Sequence, residues 1–337
     1  MKKIFAGILA AVLTVTTLTA CDGHNKVEEN PPYPVTVDGV TVEQKPKAVA
    51  SLSPVLTELL LDLGYQRRIT GYSDEDTIPD PLPEEPPVSS ESTFRWPWEE
   101  PEPVEPPAET LPTGQIGTAL VPNMEMIGEL KPEIIFTTVA MTRAQMDKLS
   151  AVNIKVVVMP AVTSLEELKT RYLDIIRIMD GALAAQSSGE AAVSRLQSRL
   201  DDITAKVPEK KSFLYVNSLE PLVATGDTFE SAVLSCVGEN LAAAGTGYSL
   251  SAEELAALDP DIIFYDSSIG EENLKENAAF KEKSAVANGS LVPIDRTILL
   301  SEKQDLPDRV RDIAAQLYPD TDFTETVSSD TETSGEE

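Results

Sequence analysis

Residues 125–136 read EMIGELKPEIIF, and residues 253–264 read EELAALDPDIIF. Each copy opens on a glutamate and runs through a short amphipathic helix. A proline follows seven residues after the glutamate, then an acid, then Ile-Ile-Phe. Proline disfavours helix in the residue before it, so the helix ends there and the chain turns into a buried strand. One αβ unit written twice implies two similar lobes, one on each side of the middle of the chain.

The flanking sequence extends the pattern. Ala48-Val49-Ala50-Ser51-Leu52 is a short apolar strand. Ser53 is a good helix cap and Pro54 suits the first helical position. The helix they open carries Val55, Leu59, Leu60 and Leu63 and stops at Gly64. A strand is expected over 67–72, a helix over 142–152 and a strand over 154–159. Leu165, Leu168, Tyr172, Ile175 and Met179 recur at helical spacing, which predicts one continuous helix over 164–183, with Ser164 and Glu167 as a capping box. A second helix carries Val193, Leu196, Leu200, Ile203 and Val207 and ends at Pro208, and Phe213-Leu214-Tyr215-Val216 starts the second lobe. The expected fold is α/β: two doubly wound lobes with mainly parallel sheets, bridged by a single long α-helix. The lobes are placed at 35–163 and 184–318. One rigid connection permits small relative motion and no large hinge swing.

Composition removes several functions. The chain has 337 residues, a net charge of −29 and one histidine, His24 near the N-terminus. Nucleic acid needs a basic face, so it is excluded as a partner. Histidine-based zinc sites and Ser-His-Asp chemistry are excluded with it. Most of the charge is local. Residues 74–110 carry a net −11 and residues 319–337 a net −7. Both stretches are rich in Pro, Ser, Thr and Glu, so an acidic insertion over 74–114 and an acidic tail over 319–337 are expected to be disordered. Trp96 and Trp98, the two tryptophans of the chain, fall in that insertion. They are read either as a ligand-stacking patch or as an anchor pinning the loop to the body.

Residues 1–20 read as an export signal, with Lys2 and Lys3 ahead of a short apolar run from Ile4 to Val15. Leu18-Thr19-Ala20-Cys21 resembles the lipobox of bacterial lipoproteins, in which the cysteine is acylated and becomes the mature N-terminus. Acyl chains at Cys21 would hold the protein at the extracytoplasmic face of the cell membrane through a lipidated linker over 21–34. Cys236, the other cysteine, sits in an apolar pattern with Val233, Leu234 and Val237 and is read as a small core residue.

Taken in order, the motifs resemble a known family. They are Ala48–Pro54 with Thr57-Glu58, Gly71-Tyr72-Ser73-Asp74, Asn123-Met124-Glu125 with Lys131-Pro132-Glu133, Gly226-Asp227-Thr228-Phe229, Gly238-Glu239-Asn240-Leu241-Ala242, and Ser251-Ala252-Glu253 with Asp259-Pro260-Asp261. Together they resemble the helical-backbone (class III) substrate-binding proteins of ABC importers for vitamin B12, haem and ferric siderophores. The resemblance implies a monomer that holds a metal chelate between its lobes and delivers it to a permease dimer. It implies that Glu125 and Glu253, one per lobe, dock onto permease arginines. It also places Ser53, Pro54 and Tyr72 at the cleft, as in the vitamin B12 branch, and so favours a corrinoid such as cobalamin.

The chain departs from that branch at Ala119, Val223, Thr297 and Ser301, where cleft tryptophan, phenylalanine, acid and arginine would stand. Tyr248 is expected to replace a second tryptophan, and Trp96 and Trp98 to substitute for lost walls. Arg95, Arg143 and Arg296 are candidate cations for an anionic siderophore. With no histidine in the body, haem iron would need Tyr72 or Met141 as its ligand. Two other classes are weighed. One is a glycosidase-like pair of Glu125 and Glu253, disfavoured because the repeat puts them in separate lobes. The other is a surface scaffold that has lost its ligand.

Overall fold

Each acid after a repeated proline latches the start of the neighbouring strand. Glu133 Oε1 accepts the Lys47 N–H at 2.9 Å, just ahead of β3 (Val49–Ser51). Asp261 Oδ2 accepts from Ser212 N at 2.8 Å and Ser212 Oγ at 2.7 Å, at the start of β8 (Lys211–Ser218). The strands that follow these acids are β6 (Ile134–Thr137) and β11 (Ile262–Asp266), and they pair in parallel with β3 and β8. The same small device therefore fixes the central strand pair of both sheets. The computed structural model describes residues 31–76, 111, 113–220 and 222–324. No helix among them is long and apolar enough to cross a membrane.

A hairpin of β1 (Val35–Val37) and β2 (Val40–Val42) comes first. The first sheet then takes α1 (Pro54–Asp62), β4 (Ile69–Tyr72), β5 (Gly114–Gln115), α2 (Met124–Leu130), α3 (Arg143–Ala151) and β7 (Lys155–Val158) around β3 and β6. Its order is β5-β4-β3-β6-β7, all parallel. The crossing segment is α4 (Leu165–Asp180), α5 (Ala182–Ala184), one π-turn over Ala185–Gly189 and α6 (Glu190–Lys206). The second sheet has β9 (Leu222–Val223), α7 (Phe229–Leu234), β10 (Gly238–Asn240), α8 (Ala252–Ala257), α9 (Glu271–Glu276), α10 (Ser284–Ala287), β12 (Leu291–Ile294), α11 (Arg296–Leu299) and α12 (Leu306–Leu317). Its order is β10-β8-β11-β12 in parallel, with β9 antiparallel on β8. The α/β architecture with mainly parallel sheets is as expected.

Alternation along the strands covers both faces of each sheet. In the first sheet Val49, Ile134 and Phe136 face a large central core, and Ala50 and Ile135 face an outer one. In the second, Phe213, Tyr215 and Phe264 face the same central core, and Leu214, Val216 and Ile263 face a third cluster. The central core is thus shared by the two sheets and by α4, which buries Leu168, Tyr172, Ile175, Ile178 and Met179 in it. At about 1.5–3 kcal/mol per large apolar side chain, this seam is a major part of the fold's stability.

Three local expectations are corrected. The bridging helix stops at Asp180, not 183. Gly181 follows at φ +94°, where a Cβ would lie 2.7 Å from Pro32, so a side chain there is excluded. Ser53 holds the cap position of α1, but its side chain makes no capping hydrogen bond; its N–H donates to Ser51 Oγ and its carbonyl accepts from Thr57 Oγ1. Ser164 does cap α4, but Glu167 reaches one residue further back, to Thr163 N at 2.7 Å. The described edges of the 74–114 stretch are tied to the first lobe. Asp74 Oδ1 accepts the Gly117 N–H at 2.8 Å, Asp76 Oδ2 accepts from Ser73 N at 2.7 Å, and Gly114–Gln115 is sheet. Trp96, Trp98, Arg95, Cys21, the export signal and residues 325–337 lie outside the described residues.

Candidate functional site

In an open parallel sheet, ligands are met at the carboxyl ends of the strands. Four of the expected ligand residues stand at such ends. Ser53 and Pro54 follow β3, Tyr72 closes β4, and Arg296 follows β12. Tyr248 stands on the loop between β10 and α8. Ser53, Pro54 and Tyr72 belong to one lobe and Tyr248 and Arg296 to the other, so the expected ligand residues fall into two groups, called the first and second half-sites below.

The two halves approach each other beside α11. Gln304, in the loop after α11, donates from N to Asp62 Oδ2 at 2.8 Å and from Nε2 to Asp62 O at 3.2 Å, at the end of α1. Lys303 Nζ stands 3.9 Å from Glu58 Oε2 on the same helix.

The second half-site is the better ordered chemically. Glu230 on α7 is fully buried. Arg296 Nε donates to its Oε1 at 3.1 Å, and Tyr248 Oη donates to its Oε2 at 2.8 Å. Burial pushes the Tyr248 phenol up to about 12, with Glu230 adding to it. Burial works against the Arg296 charge, but Glu230 and the Tyr248 hydrogen bond more than restore it. Tyr248 is held at φ +61°, an unfavourable backbone region for a bulky residue. Hydrogen bonds from Tyr248 N to Thr225 Oγ1 at 3.1 Å and from Gly247 N to Asp227 Oδ2 at 2.9 Å fix that loop. Gly226 is required between them, since a Cβ there would lie 2.1 Å from Ala243 O. The Gly226–Phe229 motif thus builds the support for Tyr248 and places Glu230 under it.

The first half-site is more closed. Ser53 and Tyr72 are buried and Pro54 is half-buried. Thr57 Oγ1 donates to Asp76 Oδ2 at 3.0 Å, and burial pushes the Asp76 carboxyl up to about 6. Met141, an expected haem ligand, packs in the outer core with Ile116, Ile135 and Leu149 and is corrected to a core residue. Val223 is core too, and Cys236 is buried as expected. Arg143 is exposed at the start of α3. A recess of about 390 Å³ lies between the β1–β2 hairpin, the end of β7 and α4, and none of the expected ligand residues lines it.

Glu125 and Glu253 occupy equivalent places. Asn123 caps α2 through Met126 N at 3.2 Å, and Ser251 caps α8 through Glu254 N at 3.2 Å. Each glutamate stands two residues after its cap, in the first turn, and is exposed. The capping box of α8 uses Glu254, not Glu253. Neither Glu125 nor Glu253 has a hydrogen-bond or ion-pair partner among the described residues, so neither carboxylate is committed to its own fold. They sit in different lobes and form no acid/base pair.

Sequence reasoning missed Glu230 and the supporting Thr225, and named Asp227 only as part of the Gly226–Phe229 motif. The signal was present: an acid inside Phe-Glu-Ser-Ala-Val-Leu, residues 229–234, where every neighbour is apolar or small.

This bilobal arrangement is that of a binding protein, and the chain belongs to the periplasmic binding protein family, whose model matches residues 49–297. It is not an enzyme. Among curated relatives, it is 24% identical over 342 residues to an uncharacterized ABC transporter substrate-binding lipoprotein of Bacillus subtilis, YvrC, covering 95% of this chain and 99% of that one. The Fe(3+)-citrate-binding protein YfmC of Bacillus subtilis is 23% identical over 190 residues, 54% of this chain and 59% of that one. Among solved structures, the periplasmic haem-binding protein HutB of Vibrio cholerae superposes with a TM-score of 0.61 at 21% identity, covering 81% of this chain and 99% of that one. The vitamin B12-binding protein BtuF of Vibrio cholerae superposes with a TM-score of 0.54 at 18% identity, over 81% and 97% of the two chains.

Proposed function

We propose that this chain is the extracytoplasmic substrate-binding lipoprotein of an ABC importer, which captures a metal chelate between its lobes and hands it to a membrane permease. It acts as a monomer held to the membrane by lipid on Cys21. The observation that carries the reading is the pair of uncommitted carboxylates, Glu125 and Glu253, at matching corners of two lobes locked on one shared core. Two equal negative points on a pseudo-symmetric body suit a two-fold permease dimer, and charge pairs of this kind set orientation and encounter rate. In the chelate site, Ser53, Pro54 and Tyr72 serve from one lobe and Tyr248 and Arg296 from the other, with Trp96 and Trp98 of the insertion as further walls.

Corrinoid, haem and ferric siderophore are the ligand classes that the relatives' names and the resemblance support. The corrinoid expectation leaned on Ser53, Pro54 and Tyr72. Of these, Ser53 and Tyr72 are buried, so the second half-site is the better guide to the chelate's chemistry. The test is charge reversal. Glu125→Arg and Glu253→Arg should leave chelate binding intact and abolish stimulation of the permease's ATPase in proteoliposomes. Full stimulation with both residues reversed would refute the docking role.

A further inference from the structure

The chain enters the first lobe at the end opposite its exposed glutamate. Pro32 O accepts the Ala182 N–H at 3.0 Å, and Tyr33 Oη donates to Ile178 O at 2.9 Å, so Pro32 and Tyr33 are strapped to the end of α4. That end is held to the amino end of the first sheet. Asp180 accepts from Tyr65 Oη at 2.8 Å and from Arg68 at 2.9 Å, and Arg68, one residue before β4, also donates to Met179 O at 2.7 Å. Lys45 Nζ completes the cluster, 2.8 Å from Asp180.

The glutamates stand at the other end. Ile116 N donates to O of Tyr72, the last residue of β4, at 2.9 Å, and Asn123 N donates to Ile116 O at 2.8 Å. The start of α2, with Glu125 in its first turn, is therefore at the carboxyl end of β4. In the second lobe Ser249 bridges Leu222, which pairs with Ser218, the last residue of β8. Glu253, just after Ser249, is thus at the carboxyl end of that sheet as well. Helix α4 runs between the two ends of the first lobe. Arg171, in its second turn, donates to Pro160 O just after β7, and Asp180 closes on Arg68 ahead of β4. Its 16 residues rise about 24 Å.

Resting on the lipid anchor and the docking role proposed above, we infer that the Pro32–Tyr33 strap is a rear mount, so that the anchored body holds Glu125 away from the bilayer while it collects chelate and turns over on its linker to meet the permease. The covalent reach of the linker then limits delivery and not capture. Eleven residues, 21–31, lead from the lipidated cysteine to the strap. They span at most about 36–40 Å. Turning the body over lifts the strap about 24 Å above the level of Glu125, the length of α4. More than half of the reach is used before any sideways offset around the permease. Removing residues 25–29 leaves a reach of about 20–22 Å, shorter than that climb.

The experiment has two readouts on the lipidated full chain. The first uses phosphatidylcholine vesicles with a headgroup-labelled acceptor lipid. A donor dye is placed at Arg67→Cys, near the strap end, or at Leu120→Cys, near the Glu125 end; both side chains are exposed and Cys236 is buried. Energy transfer should be stronger from the Arg67 position, and equal or stronger transfer from the Leu120 position would overturn the mount. The second uses proteoliposomes holding the permease. Deletion of residues 25–29 should abolish stimulation of the ATPase, and five Gly/Ser residues in their place should restore it. The same deletion should leave unchanged the rise in melting temperature that haemin, ferric citrate or cyanocobalamin gives in wild type. Full stimulation by the deleted chain would overturn this inference and leave the importer reading standing. Absence of stimulation by the wild-type chain would overturn both.

Discussion

Removing the carboxylate of Glu302 should destabilise the protein far more than removing any surface charge. Arg171 on α4 and Glu302 in the loop before α12 form an ion pair with side chains only 5% and 4% exposed. Arg171 also donates to the carbonyls of Met159 and Pro160, just after β7. Tyr172 Oη donates to Glu302 O at 2.6 Å. One guanidinium thus joins the end of the first sheet, the bridging helix and the loop of the second lobe that reaches α1. In Glu302→Ala, Arg171 remains buried with carbonyls but no countercharge. Breaking a buried pair from one side costs about 3–5 kcal/mol. At about 2 °C per kcal/mol, the low end that suits a chain of this length, the melting temperature should fall by roughly 6–10 °C. Replacing both partners, as Arg171→Met with Glu302→Leu, should recover most of the loss, since the pair's attraction and its desolvation penalty vanish together. The assay is urea unfolding and circular-dichroism melting of wild type, both single variants and the double. A loss below about 1 kcal/mol in Glu302→Ala, or strict additivity in the double, would refute the reasoning.

Further outcomes follow from other groups. Asp76 has a folded pKa raised to about 6 by burial, above its ordinary 3.8, so its favourable contribution is complete below about pH 4 and lost as pH rises through 6. Asp76→Asn should therefore gain stability relative to wild type between pH 4 and pH 7, read as the difference in melting temperature at the two pH values, and a constant difference would contradict this. Lys283 is buried and donates to the carbonyls of Leu255 at 2.6 Å, Ala256 at 3.1 Å and Leu258, the last turn of the helix that carries Glu253. Lys283→Met should cost about 2–3 kcal/mol in urea unfolding and raise amide exchange in α8; unchanged exchange there would show that the ammonium does not hold the helix. Gly226→Ala should displace the 243–248 loop, since its Cβ would meet Ala243 O at 2.1 Å, and so weaken chelate binding through Tyr248. Unchanged affinity in that variant would remove Tyr248 from the site.

The repeat at 125–136 and 253–264 was enough to read the two-sheet plan, because proline, acid and Ile-Ile-Phe each have a fixed local consequence. The positions of Glu125 and Glu253 followed from it. Details set by competition were not legible. Ser53 looks like a cap in sequence, yet its side chain makes no capping hydrogen bond in the structure. The helix after Ser164 looks continuous until Gly181 meets Pro32, a contact between residues far apart in sequence. Tyr248 and Arg296 were named separately. What joins them is Glu230, whose burial depends on three elements meeting and leaves only a faint trace in sequence. The short strands β5, β9 and β10 carry too few residues to show a period.

The central claim is that a metal chelate binds between the lobes of this protein. The most direct measurement is the melting temperature of the wild-type chain with and without haemin, ferric citrate and cyanocobalamin, each in excess over its dissociation constant. A ligand that binds only the folded state at 100 times its Kd adds about 2.7 kcal/mol, so at least one of the three should raise the melting temperature by several degrees. No rise with any of them would contradict the account.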